Sequence, residues 1–293
     1  MTSRAPASTR VRPTRSRRRA ALPAIVFSHA NGFPAGTYRA LFEAWRAAGY
    51  RVHAIDKFGH DPRFSVTSNW PHLRDELIDF VERKAKAPVY LVGHSMGGYL
   101  SVLAAARRPE FVGGVVLLDA PILGDVVSQV MRFGKATGFV RRFSPGHVSA
   151  RRRQHWPDAD AAYAHFAAKA AFARWAPGVL RDYIDCGIER AGRGKAAGHR
   201  LAFDRETETA IYNAFPHNTS GLLRRHPLRC PLAFVGGTHS LETKRVGMGE
   251  TERLTHGRVS WVEGSHLFPF EQPRAAAQEV LGWLDQFGTA PAA

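Results

Sequence analysis

The sequence predicts an α/β fold: a mostly parallel sheet of about six strands, flanked by helices, with a helical segment inserted between two of the strands. Three observations carry this. Short apolar, β-branched runs recur, and each ends in a polar turn that leads into a helical pattern, the alternation that builds a parallel sheet through crossover helices. The runs are apolar at nearly every position instead of every second one, as strands covered on both faces are. The spacing between runs breaks once, between Asp119 and Leu232, where the chain becomes helical in pattern and rich in Arg, Pro and aromatic residues.

The elements follow in order. Residues 1–20 hold seven Arg and no acid. With Pro6, Pro13 and no apolar residues at core spacing, residues 1–21 read as a disordered basic tail. A solubilising extension suits it better than a nucleic-acid or membrane-surface arm. It does not read as a signal peptide, because the apolar residues after Arg19 run straight into a strand and a polar motif. The strands are AIVF (24–27), YRVHAI (50–55), PVYLVG (88–93), GVVLLD (114–119), PLAFVG (231–236) and RVSWVE (258–263). Between them, TYRALFEAWRAAG starts a helix at Thr37 and ends it at Gly49, a C′ glycine. LRDELIDFVERKAK places Leu73, Leu77, Phe80 and Val81 on one face. The last helix opens at Pro273, which N1 tolerates, and turns Val280, Leu284 and Phe287 inward. Residues 22–120 and 229–293 thus form one core, and residues 121–228 form a helical cap.

Bulk properties narrow the function. The net charge is +16. The tail supplies +7, residues 121–228 supply +8 from 17 basic and 9 acidic side chains, and the remainder is nearly neutral. No apolar run is long enough to span a bilayer. Cys186 and Cys230 set no disulfide framework and fit a reducing cytoplasm. There is no HExxH or cysteine cluster for a metal, no phosphate-binding Walker loop and no dinucleotide fingerprint, so no cofactor is expected.

The chemistry centres on Gly93-His94-Ser95-Met96-Gly97, a G-x-S-x-G at the turn from PVYLV into the helix MGGYLSVLAAARR. A sharp strand-to-helix turn strains the Ser backbone, and glycines on either side relieve the crowding. The helix N-terminus beneath the Ser favours developing negative charge. A Ser hydroxyl needs a base. His266, in the turn after the last strand and before the final helix, has the right place. His29 and His94 lie in the first loop and on the elbow, and His155, His165, His199, His217 and His226 fall in the insertion. The N–H of Met96, directly after the nucleophile, is one oxyanion donor. The other comes from the loop after the first strand, SHANGFP.

Gly93–Gly97, the loop His29-Ala30-Asn31-Gly32 and the late His266 together resemble the α/β-hydrolase superfamily over roughly residues 22–288, and the insertion resembles its cap domain. The resemblance implies that Asn31 supplies the second oxyanion N–H. It also implies an acid to orient His266, most often an Asp in a G-x-x-D turn after the next-to-last strand. Here Gly236 plus three is His239. Asp119, at the end of GVVLLD, is the first choice, because the haloalkane dehalogenase-like branch carries its acid at that strand end. Glu242 is the alternative, and a third reading leaves the site without an acid. Ser95 in place of an Asp nucleophile argues against dehalogenation and favours acyl transfer.

The expected activity is therefore hydrolysis of a small-molecule carboxylic ester through an acyl-enzyme. Ser95 is the nucleophile, His266 the base, Asp119 the acid, and Asn31 and Met96 hold the oxyanion. Thioester hydrolysis, C–C hydrolysis and cofactor-free perhydrolysis are alternatives at the same triad, and a binding protein with a decayed site is the alternative outside catalysis. Of the aromatics of the insertion (Trp156, Phe166, Phe172, Trp175, Tyr183, Tyr212, Phe215), some are expected to pack its own core and others to line an apolar pocket, to which Phe268 and Phe270 could add. The +8 of the insertion reads first as a solvated basic face, with tolerance of, or preference for, anionic substrates as the alternative.

Overall fold

The computed structural model describes residues 23–84, 88–136, 145–192, 194 and 197–289. The basic tail expected at 1–21 lies outside them. The strands are β1 (Ile25–Ser28), β2 (Val52–Ala54), β3 (Val89–His94), β4 (Val112–Leu118), β5 (His155–Trp156), β6 (Ile188–Ala191), β7 (Gly198–Leu201), β8 (Leu232–Gly237) and β9 (Val259–Val262). Six of them form one sheet in the order β2-β1-β3-β4-β8-β9, with every pairing parallel. Each expected strand is present to within two residues at either end. β1, β3 and β8 are buried along their whole length, which is why their sequences are apolar without alternation.

The strand order reverses between β1 and β3. In open α/β sheets the crevice at the carboxyl ends of strands on either side of such a reversal is where ligands bind. The loop after β1 and the turn after β3, the two motifs singled out above, meet there.

The helices cover both faces. Arg39–Ala47 buries Leu41, Phe42 and Trp45, and Gly49 ends it with φ of 95°, a left-handed turn that costs a glycine nothing. The Trp45 indole N–H donates to the carbonyl of Ala277 at 3.2 Å, tying the first helix to the last. That last helix, Pro273–Thr289, buries Val280, Leu284 and Phe287. Burying each such side chain contributes about 1.5–3 kcal/mol. In Pro71–Lys84 the inward face carries Leu73, Leu77 and Val81 as expected, but Ile78 and Glu76 are buried with them and Phe80 only half so.

The insertion between β4 and β8 differs from expectation in one respect. It is not helical throughout: β5, β6 and β7 form a small antiparallel sheet in the order β5-β7-β6. Its strands read HW, IERA and GHRL. They have no apolar β-branched run, so no period-2 signal marked them. Pairing between neighbouring segments makes them strands, not intrinsic propensity.

Close approach explains the elbow glycines. A Cβ on Gly97 would lie 1.9 Å from the carbonyl oxygen of Ser28 in β1, and one on Gly93 would lie 2.2 Å from the carbonyl carbon of Gly97. Both obstacles are backbone and cannot rotate away. Gly97→Ala is therefore expected to destabilise the fold by about 3 kcal/mol or more, read as a lower urea midpoint at unchanged m-value. A change under about 0.5 kcal/mol, the size of an ordinary surface substitution, would refute the packing argument.

Candidate active site

Ser95 sits between β3 and the helix Met96–Arg107 with φ of 52° and ψ of −114°. A non-glycine residue there costs roughly 1–3 kcal/mol, which the surrounding structure must hold in place. The turn is pinned from below: the Ser95 N–H donates to the carbonyl of Leu118 at 2.9 Å, and the Ser95 carbonyl accepts from the N–H groups of Gly98 and Tyr99. Met96 is the first residue of its helix, so its N–H has no acceptor in a preceding helical turn.

The loop after β1 is oriented by a buried histidine. The Phe58 N–H donates to His29 Nε2 at 2.9 Å, so the proton of the neutral ring is on Nδ1, and Nδ1 donates to the carbonyl of Ala30 at 2.8 Å. Burial pushes the pKa of His29 down to about 4, which keeps the ring in this form. The same carbonyl also accepts from the Phe33 N–H. In a trans peptide the C=O and N–H point opposite ways. Holding the Ala30 carbonyl therefore directs the Asn31 N–H away from both donors. The Asn31 side chain is held by the insertion, its Nδ2 donating to the carbonyl of Glu208 at 2.9 Å.

His266 follows β9. Its Nδ1 lies 2.6 Å from Oδ2 of Asp119. Asp119 is 1% exposed and stands at the end of β4 with φ of 45°. Its Oδ1 accepts from the Gly237 N–H at 2.9 Å and from Thr243 Oγ1 at 3.1 Å, and its Oδ2 accepts from Ser240 Oγ at 2.5 Å. Burial alone would raise the Asp119 pKa, but the hydrogen bonds from His266, Ser240 and Gly237 hold it below the usual carboxylate value. An ionised Asp119 can only accept, so Nδ1 carries the proton and Nε2 is left as the free base. Burial likewise would lower the His266 pKa. The hydrogen bond and charge of Asp119, with the charge of Glu242, outweigh it and raise the pKa above 6.5.

The turn after β8, GGTHSLET, thus brings no acid to Nδ1. It brings three donors to Asp119 instead: Gly237, Ser240 and Thr243. Glu242 is exposed, and one of its carboxylate oxygens lies within 4.8 Å of ligand atoms of both Asp119 and His266. His239, where an acid is more usual, points to Glu263 at 2.7 Å. The loop leading into His266 is clamped from the other side. Glu271 accepts from the N–H of Ser265 at 2.8 Å and from its hydroxyl at 2.6 Å, and it pairs with Arg174 of the insertion at 3.2 Å.

Ser95, His266, Asn31 and Glu242 line one cavity of about 620 Å³, closed by Phe33, Tyr212 and Leu267 among others. Two expectations are refined here. Of the aromatics proposed for the pocket, only Tyr212 lines it. Trp156, Phe166, Phe172, Trp175 and Tyr183 stack on one another as a cluster inside the insertion, Phe215 packs on Trp70 and Tyr99, and Phe268 and Phe270 are fully buried. Among the described residues, the insertion brings one cationic side chain to the cavity lining. The lining has Arg174 against Glu242, Glu263 and Glu271. Helical periodicity marks a face as apolar but not which neighbour covers it. Sequence reasoning also missed Ser240, Thr243 and Tyr38, whose hydroxyl meets His94 Nδ1 at 2.7 Å, because these residue types carry no motif. His29 and His94 were noticed but given no role, because Phe58, which fixes the His29 tautomer, and Tyr38 and His266, which meet His94, are distant in sequence.

The profile of the family described as serine aminopeptidase, S33, matches residues 20–181. Monoglyceride lipase of Mus musculus is 34% identical over 110 residues, which cover 35% of this chain and 36% of the relative. Phospholipase YtpA of Bacillus subtilis (strain 168) is 34% identical over 110 residues, covering 34% and 40%. The chain therefore spans little more than a third of the length of these curated relatives. Among solved structures, E-2-(acetamidomethylene)succinate hydrolase superposes with a TM-score of 0.69 over 90% of this chain and 91% of that one at 20% identity, a likeness of fold. Among the described residues no helix is long and apolar enough to cross a membrane.

Proposed function

Because the chain belongs to the serine aminopeptidase S33 family and has the α/β-hydrolase fold, we propose that it is a serine hydrolase that cleaves a carboxylic ester through an acyl-enzyme. The observation that carries the reading is the convergence on one cavity of Ser95 on a strained elbow and His266 with a buried carboxylate against its Nδ1.

In the proposed cycle Ser95 Oγ attacks the ester carbonyl carbon while His266 Nε2 takes its proton. The carbonyl π pair moves onto oxygen, where the N–H groups of Asn31 and Met96 stabilise it. Collapse breaks the bond to the alkoxy oxygen, which leaves as the alcohol with the proton from His266. Water then gives a proton to His266 and attacks the acyl carbon. The second collapse releases the carboxylic acid and returns the proton to Ser95. Asp119 holds the ring in the Nδ1–H tautomer and stabilises the transient imidazolium.

The substrate class follows from the lining. With three Glu against Arg174, which already pairs with Glu271, an uncharged acyl ester fits better than an anionic one. The lipase names of the relatives agree with an acyl chain along Phe33 and Leu267.

A p-nitrophenyl ester chain-length series, with a succinate half-ester as the anionic member, tests this. The neutral esters should turn over and the anionic one should lag. On the best ester, kcat/KM should rise with pH through a pKa above 6.5, since only unprotonated His266 accepts the Ser95 proton. Glu242→Gln should move that limb to lower pH, because Glu242 favours the imidazolium. Absence of turnover across the series would refute the esterase reading.

A further inference from the structure

We propose that Tyr38 and His94 are positioning residues for this reaction, forming a one-way hydrogen-bond chain that ties the oxyanion loop to the main chain of the base. The inference rests on the hydrolase reading given above. Its links are short, the first two buried and the third part-buried. The Ala30 N–H donates to Tyr38 Oη at 3.1 Å, Tyr38 Oη meets His94 Nδ1 at 2.7 Å, and His94 Nε2 meets the carbonyl of His266 at 2.9 Å. Tyr38 and His94 are both 0% exposed.

The direction of every link follows from donor and acceptor chemistry. A carbonyl only accepts, so His94 Nε2 must carry a hydrogen. Burial, with the neighbouring His266, pushes the His94 pKa down to about 3, so the ring is neutral and its Nδ1 holds a lone pair. Tyr38 must then donate to Nδ1, which leaves its oxygen to accept from Ala30. No second assignment satisfies all four groups.

The chain touches each part of the site through its backbone. Ala30 precedes Asn31, His94 precedes Ser95, and the terminal acceptor is the carbonyl of His266. His266 must pass a proton from Ser95 to a leaving alkoxide without its ring drifting. Asp119 holds the far side of that ring, and His94 holds its main chain. Packing prevents the relay from swinging away: Tyr38 lies 4.5 Å from Phe27 and 4.6 Å from Phe270, and His94 lies 5.1 Å from His266, between ring centroids. The sequence SHANGFPAGTY places Tyr38 eight residues beyond Ala30, so the turn Ala35–Tyr38 folds back to close the chain.

The test has two independent readouts. In wild-type protein carrying ¹⁵N-histidine, NMR should show His94 as the neutral Nε2–H tautomer throughout pH 5–9, and Tyr38→Phe should keep that tautomer, because the His266 carbonyl still fixes the hydrogen on Nε2, while the Nδ1 resonance moves as its hydrogen bond is lost. On the best p-nitrophenyl ester, Tyr38→Phe should lower kcat by about tenfold, the equivalent of one lost hydrogen bond, with KM within about twofold. His94→Leu should lower kcat further. His94→Gln, whose Nε2–H can still reach the His266 carbonyl, should recover kcat to within about threefold of wild type. An Nδ1–H tautomer, titration of His94 between pH 5 and 9, or equal losses in the Gln and Leu variants would overturn the proposal. A wild type without ester turnover would refute the hydrolase reading alone, since the tautomer measurement still decides the chain. If His94→Leu does not fold, Tyr38→Phe and His94→Gln keep the kinetic test intact.

Discussion

Ser95→Ala should lower kcat for p-nitrophenyl ester hydrolysis by about 10⁵–10⁶-fold, the scale on which loss of a nucleophile of this kind is felt. The same variant should resist labelling by a fluorophosphonate probe that modifies the wild type at Ser95. The size of the effect comes from what alanine removes. On the proposed mechanism Oγ is the atom that forms the covalent intermediate, and without it no oxyanion develops for the Met96 N–H at the helix N-terminus to stabilise. KM should change little, because the apolar lining of Phe33, Tyr212 and Leu267 remains. Wild-type labelling at another residue, or turnover retained by the alanine variant, would overturn the assignment of Ser95.

Asp119→Asn should cost about 10⁴-fold in kcat, with Glu242→Gln costing less than about tenfold. The hydrogen bonds around Asp119 explain why an isosteric change would be so damaging. The N–H of Gly237 cannot reverse, so the amide oxygen of Asn must stay where Oδ1 now accepts from it. The amide NH₂ then takes the place of Oδ2, opposite His266 Nδ1. Two donors cannot face each other, so the His266 proton moves to Nε2, the atom that must accept from Ser95. Ser240 can turn its hydroxyl to accept, so the fold should survive. Glu242 is exposed, so although it lies within 4.8 Å of the pair, solvent weakens its charge interaction. A large loss on Glu242→Gln with a small one on Asp119→Asn would reverse the two roles.

Much of the fold was legible because its signals are local. Apolar runs such as PVYLVG and PLAFVG mark buried strands by composition alone, and Gly49 and Pro273 mark helix ends by backbone chemistry that any context would impose. The elbow was legible for the same reason: Gly93 and Gly97 stand where a Cβ would strike backbone, so the constraint is written at the site itself. The strands of the insertion were not legible. IERA and GHRL become strands only because each finds the other, and nothing in either segment alone requires it.

The candidate site divides in the same way. By itself, the sequence determined a strand-borne Ser95 followed by a helix, a His266 after the last strand, and an unusual turn at 236–243 without an Asp. Only the tertiary structure decided which carboxylate lies against Nδ1, that Ser240 and Thr243 serve that carboxylate, that Arg174 of the insertion meets three Glu at the cavity, and that Tyr38 reaches His94. Each of these depends on strand order and side-chain direction across long sequence separations. Parallel pairing of β4 with β8 and of β8 with β9 brings residues 119, 240 and 266 within hydrogen-bonding reach. No local periodicity encodes that pairing, because it is selected by burial of the whole sheet.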